Sequence, residues 1–175
     1  MQYEEKIKIL KTSNISFLDY PDNDSWAVVV YIMGCNHNCP GCHNPQFQDI
    51  SNTNKDIKEV SLQSFNEYLT ELMEKYRTDK LVLSGGDPLH PDNVNFVRKF
   101  LNFTNYNVCI YTGYSYDYVQ TLNLSNFKFL KCEPYLLDMA QVSVKTDEYL
   151  QLASENQKLY NNNFKLLSKD GRYYF

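Results

Sequence analysis

The sequence predicts an α/β fold: one domain over residues 1–175, built as a partial, open (β/α) barrel with a mostly parallel sheet. Three observations predict it. Residues 27–33 (AVVVYIM) form a continuous apolar, β-branched run, the pattern of a strand buried on both faces of a parallel sheet. Strand-like and helical segments then alternate along the chain, as crossover units require. A chain of 175 residues buries a sizeable core without disulfide staples, yet a complete eight-stranded barrel usually takes about 250 residues. No internal repeat and no linker rich in Pro, Gly or Ser divides it.

Each element follows from its local pattern. After the strand at 27–33, Gly34 opens a cysteine-bearing loop. Ser61 is placed to cap a helix whose apolar positions Leu62, Phe65, Leu69, Leu72, Met73 and Tyr76 recur at helical spacing. Residues 80–83 make a short strand that runs into Ser84-Gly85-Gly86. A second helix is expected to begin near Pro91 or Asp92, carrying Val94, Phe96, Val97, Phe100 and Leu101. Residues 107–111 (NVCIY) read as the next strand, a short helix runs through Tyr118 and Leu122, and residues 127–130 (FKFL) make a fourth strand. The tail, 164–175, has two strand-like runs around Asp170-Gly171, a hairpin signal that places it at an edge of the sheet.

Composition narrows the function. Hydrophobic residues are 43%, charged residues 22%, and the net charge is -4. With no basic block, nucleic acid is not an expected partner. The longest wholly apolar run is far shorter than the roughly 20 residues a membrane helix needs, and the charged start MQYEEKIKILK has no secretory pattern. A soluble protein of the reducing cytoplasm is expected, its cysteines thiolate ligands or buried thiols rather than disulfides. Cys109 and Cys132, in apolar runs, read as buried small hydrophobes.

Chemistry concentrates in residues 34–45 (GCNHNCPGCHNP). Cys35, Cys39 and Cys42 form a C-x3-C-x2-C trio with no fourth cysteine nearby. A cubic iron-sulfur cluster held by thiolates ordinarily takes four, so the trio points to one iron left open for a non-protein ligand. The alternative is a zinc site completed by His37 or His43, although zinc sites favour two separated ligand pairs. The next strand ends in LSGGDPL, where Gly85 and Gly86 let the backbone approach a ligand closely and Asp87 offers an acidic group to a cation. Right-handed crossovers put the cysteine loop, this turn, Thr112-Gly113 and Lys131 at the same strand ends, where α/β sheets bind ligands.

GCNHNCPGCHNP together with SGGDPLHP resembles the radical S-adenosylmethionine superfamily, and within it the activating proteins of anaerobic ribonucleoside-triphosphate reductases. The superfamily cysteines fall on Cys35, Cys39 and Cys42, and its Gly-Gly-acid turn on Gly85, Gly86 and Asp87. Tyr111-Thr112-Gly113-Tyr114 and, loosely, Ser154-Glu155-Asn156-Gln157 are also similar, and the likeness runs from about Asn14 to Tyr160. It implies a 4Fe-4S cluster on the three thiolates, with the open iron chelating the methionine moiety of S-adenosylmethionine. It further implies cosubstrate contacts from Gly41, Cys42, His43, Ser84, Gly85, Gly86, Asp87 and Thr112, with Asp87 facing the ligand's ammonium. The implied protein substrate is the large catalytic subunit of an anaerobic ribonucleotide reductase, and the implied electron donor is a flavodoxin or ferredoxin. Activation of another glycyl-radical protein, such as a formate lyase, is the alternative within the same chemistry.

Two departures stand out. Gly41 occupies the position before the third cysteine, where the superfamily often has an aromatic residue, and Glu133 stands where similar sequences have a glycine. Glu133 is expected to be an exposed loop residue, and His37 and His43 to hydrogen-bond backbone or sulfur. His90 reads as a turn residue, and Tyr111 and Tyr114 as the aromatics nearest an adenine.

Overall fold

A computed structural model describes residues 5–11, 15–23 and 26–175. The first four residues of the charged start and Asn14, the near end of the resemblance, lie outside the described residues. Among the described residues the principal sheet has eight strands: β1 (Lys6–Leu10), β2 (Ile15–Ser16), β3 (Ala27–Ile32), β4 (Ile57–Ser61), β5 (Lys80–Gly85), β6 (Asn107–Tyr111), β7 (Phe129–Cys132) and, further along the chain, β10 (Lys158–Asn161). Its order is β10-β7-β6-β5-β3-β1-β4, with β2 also paired to β3. The central four, β3, β5, β6 and β7, are mutually parallel, and β10 and β1 close the two sides antiparallel. This is the mixed α/β sheet with parallel central strands that the alternating pattern predicts.

Side-chain alternation sorts the sheet into two faces. Val28, Val30, Ile32, Leu81, Leu83, Val108, Ile110, Leu130 and Cys132 point to the larger core, and Ala27, Val29, Val82 and Cys109 to a smaller one. Three helices, α1 (Leu62–Tyr76), α2 (Val94–Phe103) and α3 (Tyr116–Thr121), all bury their apolar positions in the larger core. Helix α1 starts as the sequence predicts: Ser61 and Ser64 make a reciprocal capping box, and Arg77 ends the helix in a left-handed conformation. Helix α2 begins at Val94, slightly later than expected, because residues 90–93 form a turn in which the His90 carbonyl accepts from the amides of Asn93 and Val94.

Two further predicted elements differ. The fourth parallel strand is Phe129–Cys132 rather than 127–130, so Phe127 is core without being strand and Lys131 lies within the strand. The tail does turn at Asp170-Gly171, with positive φ of 50° and 67° and reciprocal bonds between Lys169 and Arg172. Only its first run touches the edge of the principal sheet, through the Tyr160–Leu166 bridge. Its last strand, β11 (Arg172–Tyr174), joins a separate antiparallel sheet with β9 (Tyr149–Gln151) and β8 (Val144–Lys145). No helix among the described residues is long and apolar enough to cross a membrane.

Candidate metal and cosubstrate site

The site is built at the C-terminal ends of β3, β5, β6 and β7. The register that aligns Ile32 with Gly85 brings the end of β3 against the turn after β5. There the backbones are locked: Gly86 N donates to Ile32 O at 2.9 Å and Asp87 N to Gly34 O at 2.7 Å. A Cβ at Gly85 would meet Ile32 O at 2.3 Å, and one at Gly86 would meet Gly34 O and Phe47 O, each at 2.5 Å. Both glycines are thus required by the chain's own backbone as well as leaving room on the ligand side.

The cysteine loop leaves β3 through Gly34 (φ 100°) and is pinned by Gly34 N to Phe47 O and Cys35 N to Gln48 O, at 2.8 and 3.0 Å. A short 3-10 turn at Pro45–Phe47 seats Phe47 on the Tyr31 ring, centroids 5.0 Å apart. All three loop thiols are half-buried and unbridged. Burial pushes the Cys35 thiol up to about 11, opposed by a backbone hydrogen bond from His37. The Asn44 amide donates to the Cys42 sulfur at 3.4 Å. Cys109 and Cys132 are fully buried in the sheet, as the apolar reading expects.

A cavity of about 250 Å³ opens over these strand ends, walled by Cys35, Cys39, Cys42, His43, Ser84, Gly85, Gly86, Thr112 and Gly113 on one side. Tyr31, Tyr111 and Lys131, from the sheet face opposite the helices, form its floor, and Val144, Leu150 and Gln151 of the small sheet close it with the flanking Ser143 and Leu152. Gly41 and Asp87 do not line it. Gly41 (φ 71°) sits under the Leu137 and Tyr135 side chains instead, and Tyr135 also contacts the His43 ring at 5.0 Å. Lys131 is buried, its ammonium 5.4 Å from the centre of the Tyr111 ring, and burial pulls its pKa down.

Asp87 is 1% exposed and saturated with donors. Leu89 N donates to one oxygen at 2.8 Å and Gly113 N to the other at 2.9 Å, and the Thr112 hydroxyl lies 2.9 Å from both. His37 Nε2 completes the set at 2.7 Å, so its side chain engages a carboxylate rather than backbone or sulfur. Glu133 is neither exposed nor in the cavity wall. It stands at φ 79°, the reason a glycine would be expected there, and its carboxylate accepts from Tyr116 N at the start of α3. Asn93 was missed in the sequence: wholly buried, it donates one amide nitrogen to both Met33 O and Asp87 O, tying β3 to the turn after β5.

The donor set fits an iron-sulfur cube. Three thiols of one loop reach one cavity wall, two of them with backbone N–H groups on sulfur, the arrangement that holds and tunes such clusters. Among the described residues no three His, Cys, Asp or Glu side chains converge as ligands of one ion would. In a cube each thiolate binds a different iron, so its ligands need not converge that closely.

Comparison with known proteins agrees with this donor set. The anaerobic ribonucleoside-triphosphate reductase-activating protein of Enterobacteria phage T4 is 25% identical over 82% of this chain and 89% of its own length. Its namesake in Escherichia coli K12 is 26% identical over 82% and 93%. A protein of Methanocaldococcus jannaschii, provisionally named a glycyl-radical enzyme activating enzyme, is 24% identical over 88% of this chain and 59% of its own length. The resemblance carried by GCNHNCPGCHNP and SGGDPLHP is thereby borne out. A model of the 4Fe-4S single cluster domain matches residues 25–160, and with its thiol loop, glycine turn and parallel strand ends the chain belongs to that family.

Proposed function

We propose that this chain is an activating enzyme: it holds a 4Fe-4S cluster on Cys35, Cys39 and Cys42, cleaves S-adenosylmethionine reductively, and leaves a glycyl radical on an anaerobic ribonucleoside-triphosphate reductase. The observation that carries the reading is the convergence of three loop thiols and the Gly85-Gly86 turn on one cavity. Held by Cys35, Cys39 and Cys42, a bound cluster would supply one-electron reduction of S-adenosylmethionine, the electron coming from the external donor. The protein's part is binding, alignment and exclusion of water.

In this reading Cys42, His43, Ser84, Gly85, Gly86 and Thr112 contact the cosubstrate directly. Gly41 acts through the loop shape it permits, and Asp87 stands behind the wall with charge of the sign an ammonium needs. The sheet is the wall of a partial barrel within one domain: helices cover one face, and Tyr31, Tyr111 and Lys131 look from the other into the cavity. The names of the phage and E. coli relatives support the reductase as partner. A flavodoxin or ferredoxin as donor and a cytoplasmic location complete the proposal.

Anaerobically reconstituted protein given a reductant and S-adenosylmethionine should form 5′-deoxyadenosine, and Cys39→Ala should lose both the cluster and cleavage. Absence of 5′-deoxyadenosine from the parent chain sinks the proposal. The M. jannaschii relative is named for a glycyl-radical enzyme without saying which, and so leaves room for a second reading, activation of a different glycyl-radical enzyme. A glycyl-radical resonance on mixing with reductase rather than lyase subunits separates the two.

A further inference from the structure

His37 lies midway between Cys35 and Cys39, yet its partners belong to the next two strand ends. Its Nε2 is 2.7 Å from the Asp87 carboxylate, which can only accept, so the nitrogen carries the proton and donates. Its ring packs edge-on to Tyr114, centroids 4.5 Å apart. It also fills the space beside Gly113: a Cβ there would lie 2.5 Å from His37 Cδ2, and the three nearest atoms all belong to that ring. Asp87 is itself fixed by Leu89 N on one oxygen, by Gly113 N on the oxygen that His37 engages, and by the Thr112 hydroxyl. The imidazole is therefore plugged into a socket made by the turn after β5 and the turn after β6. Among the described residues, the backbone hydrogen bonds that tie residues 34–45 to the rest of the chain beyond Phe47 lie at the start of the loop, at Gly34 and Cys35.

We propose that His37 is a positioning residue: its bond to Asp87 and its seat beside Gly113 hold the thiol loop over the strand ends before any cluster is present. Asp87 then serves the site by holding the loop rather than by touching the cosubstrate. A charge-assisted bond in a part-buried setting is among the stronger side-chain interactions, and breaking it loosens the loop around Cys35 and Cys39, while Gly41 and His43 keep their neighbours Leu137 and Tyr135. The role rests on the ligand reading of the loop cysteines only for its consequence, cluster assembly. The positioning itself is a property of the metal-free chain.

Hydrogen–deuterium exchange on the metal-free protein tests it, with residues 62–76 of α1 as an internal standard. In His37→Phe, which keeps a ring and loses the donor, residues 35–44 should exchange about ten- to a hundredfold faster while 62–76 are unchanged. Gly113→Ala, which pushes the ring out without altering it, should do the same. His37→Gln, whose amide reaches the same carboxylate, should restore slow exchange in the loop. After anaerobic iron and sulfide reconstitution, iron content should follow the same order, with Gln near the parent and Phe below it. Unchanged exchange at 35–44 in His37→Phe overturns the proposal, as does a rise shared equally by 62–76. If the exchange pattern holds but the parent makes no 5′-deoxyadenosine, the positioning role stands and the activase reading falls. If the parent does make it and His37→Phe leaves exchange at 35–44 unaltered, the activase reading stands and the positioning role falls.

Discussion

Gly85 and Ile32 meet backbone to backbone, so closely that a Cβ on Gly85 would lie 2.3 Å from the Ile32 carbonyl oxygen and 2.4 Å from its nitrogen. The contact closes the β3–β5 seam beneath the thiol loop, and Gly85 takes φ 122° to make it. Gly85→Ala combines that steric conflict with a backbone conformation unsuited to a side chain. It should cost about 3 kcal/mol or more, read as a lowered urea midpoint of the metal-free chain.

Asn93 bridges two buried carbonyls, Met33 O and Asp87 O, from a single amide nitrogen. Asn93→Ala removes that donor from both. A loss of about 2–4 kcal/mol in urea unfolding is expected. Asn93→Asp should be at least as damaging, since a carboxylate cannot donate to either oxygen.

Lys131 carries a burial cost. Its pKa is drawn down from 10.5 by desolvation, so the folded chain holds this proton less tightly than the unfolded one. The associated stability is present above 10.5 and is lost as pH falls through the folded value. Lys131→Met should therefore stabilise the metal-free protein by about 1 kcal/mol at pH 7. The gain should shrink as pH rises toward 10.5, measured by urea unfolding at several pH values.

Cys132 has the opposite sign. Burial raises its thiol from 9.0 to about 12. Its contribution is fully present below pH 9 and is lost as pH rises through about 12. In the native metal-free chain at pH 8, iodoacetamide should modify Cys39 and Cys42 first, Cys35 more slowly because burial raises its thiol to about 11, and spare the fully buried Cys109 and Cys132. All five should react in urea, with mass spectrometry locating the adducts.

Glu133 offers a paired comparison. Glu133→Ala keeps the left-handed strain and loses the bond to Tyr116 N, and should cost about 1 kcal/mol. Glu133→Gly loses the same bond but sheds the strain, and should stay close to the parent. Thermal unfolding of the two variants side by side gives the answer.

The parallel core was legible because β3, β5 and β6 are buried on both faces and read as unbroken apolar runs. The small strands were not. In β4, IKEVS, only Val60 is buried, and β8 and β9 are two and three residues long, too short for any period to emerge. At β7 the strand is displaced by two residues because Phe127 is held in the core from outside the ladder. The cysteine trio and the glycine turn were read directly, since local spacing defines them. Asn93 and the His37–Asp87 bond were not, because their partners are up to sixty residues away and no local pattern marks such a meeting.

The cavity has walls of unlike stiffness. Its floor and thiol side rest on four parallel strands with helices packed behind them, whereas Val144, Leu150 and Gln151 belong to a three-stranded ribbon of two- and three-residue strands. Short antiparallel pairs open locally at far lower free energy than a central sheet does. Amides of the ribbon, in β8, β9 and β11, should therefore exchange with solvent faster than those of β3, β5 and β6.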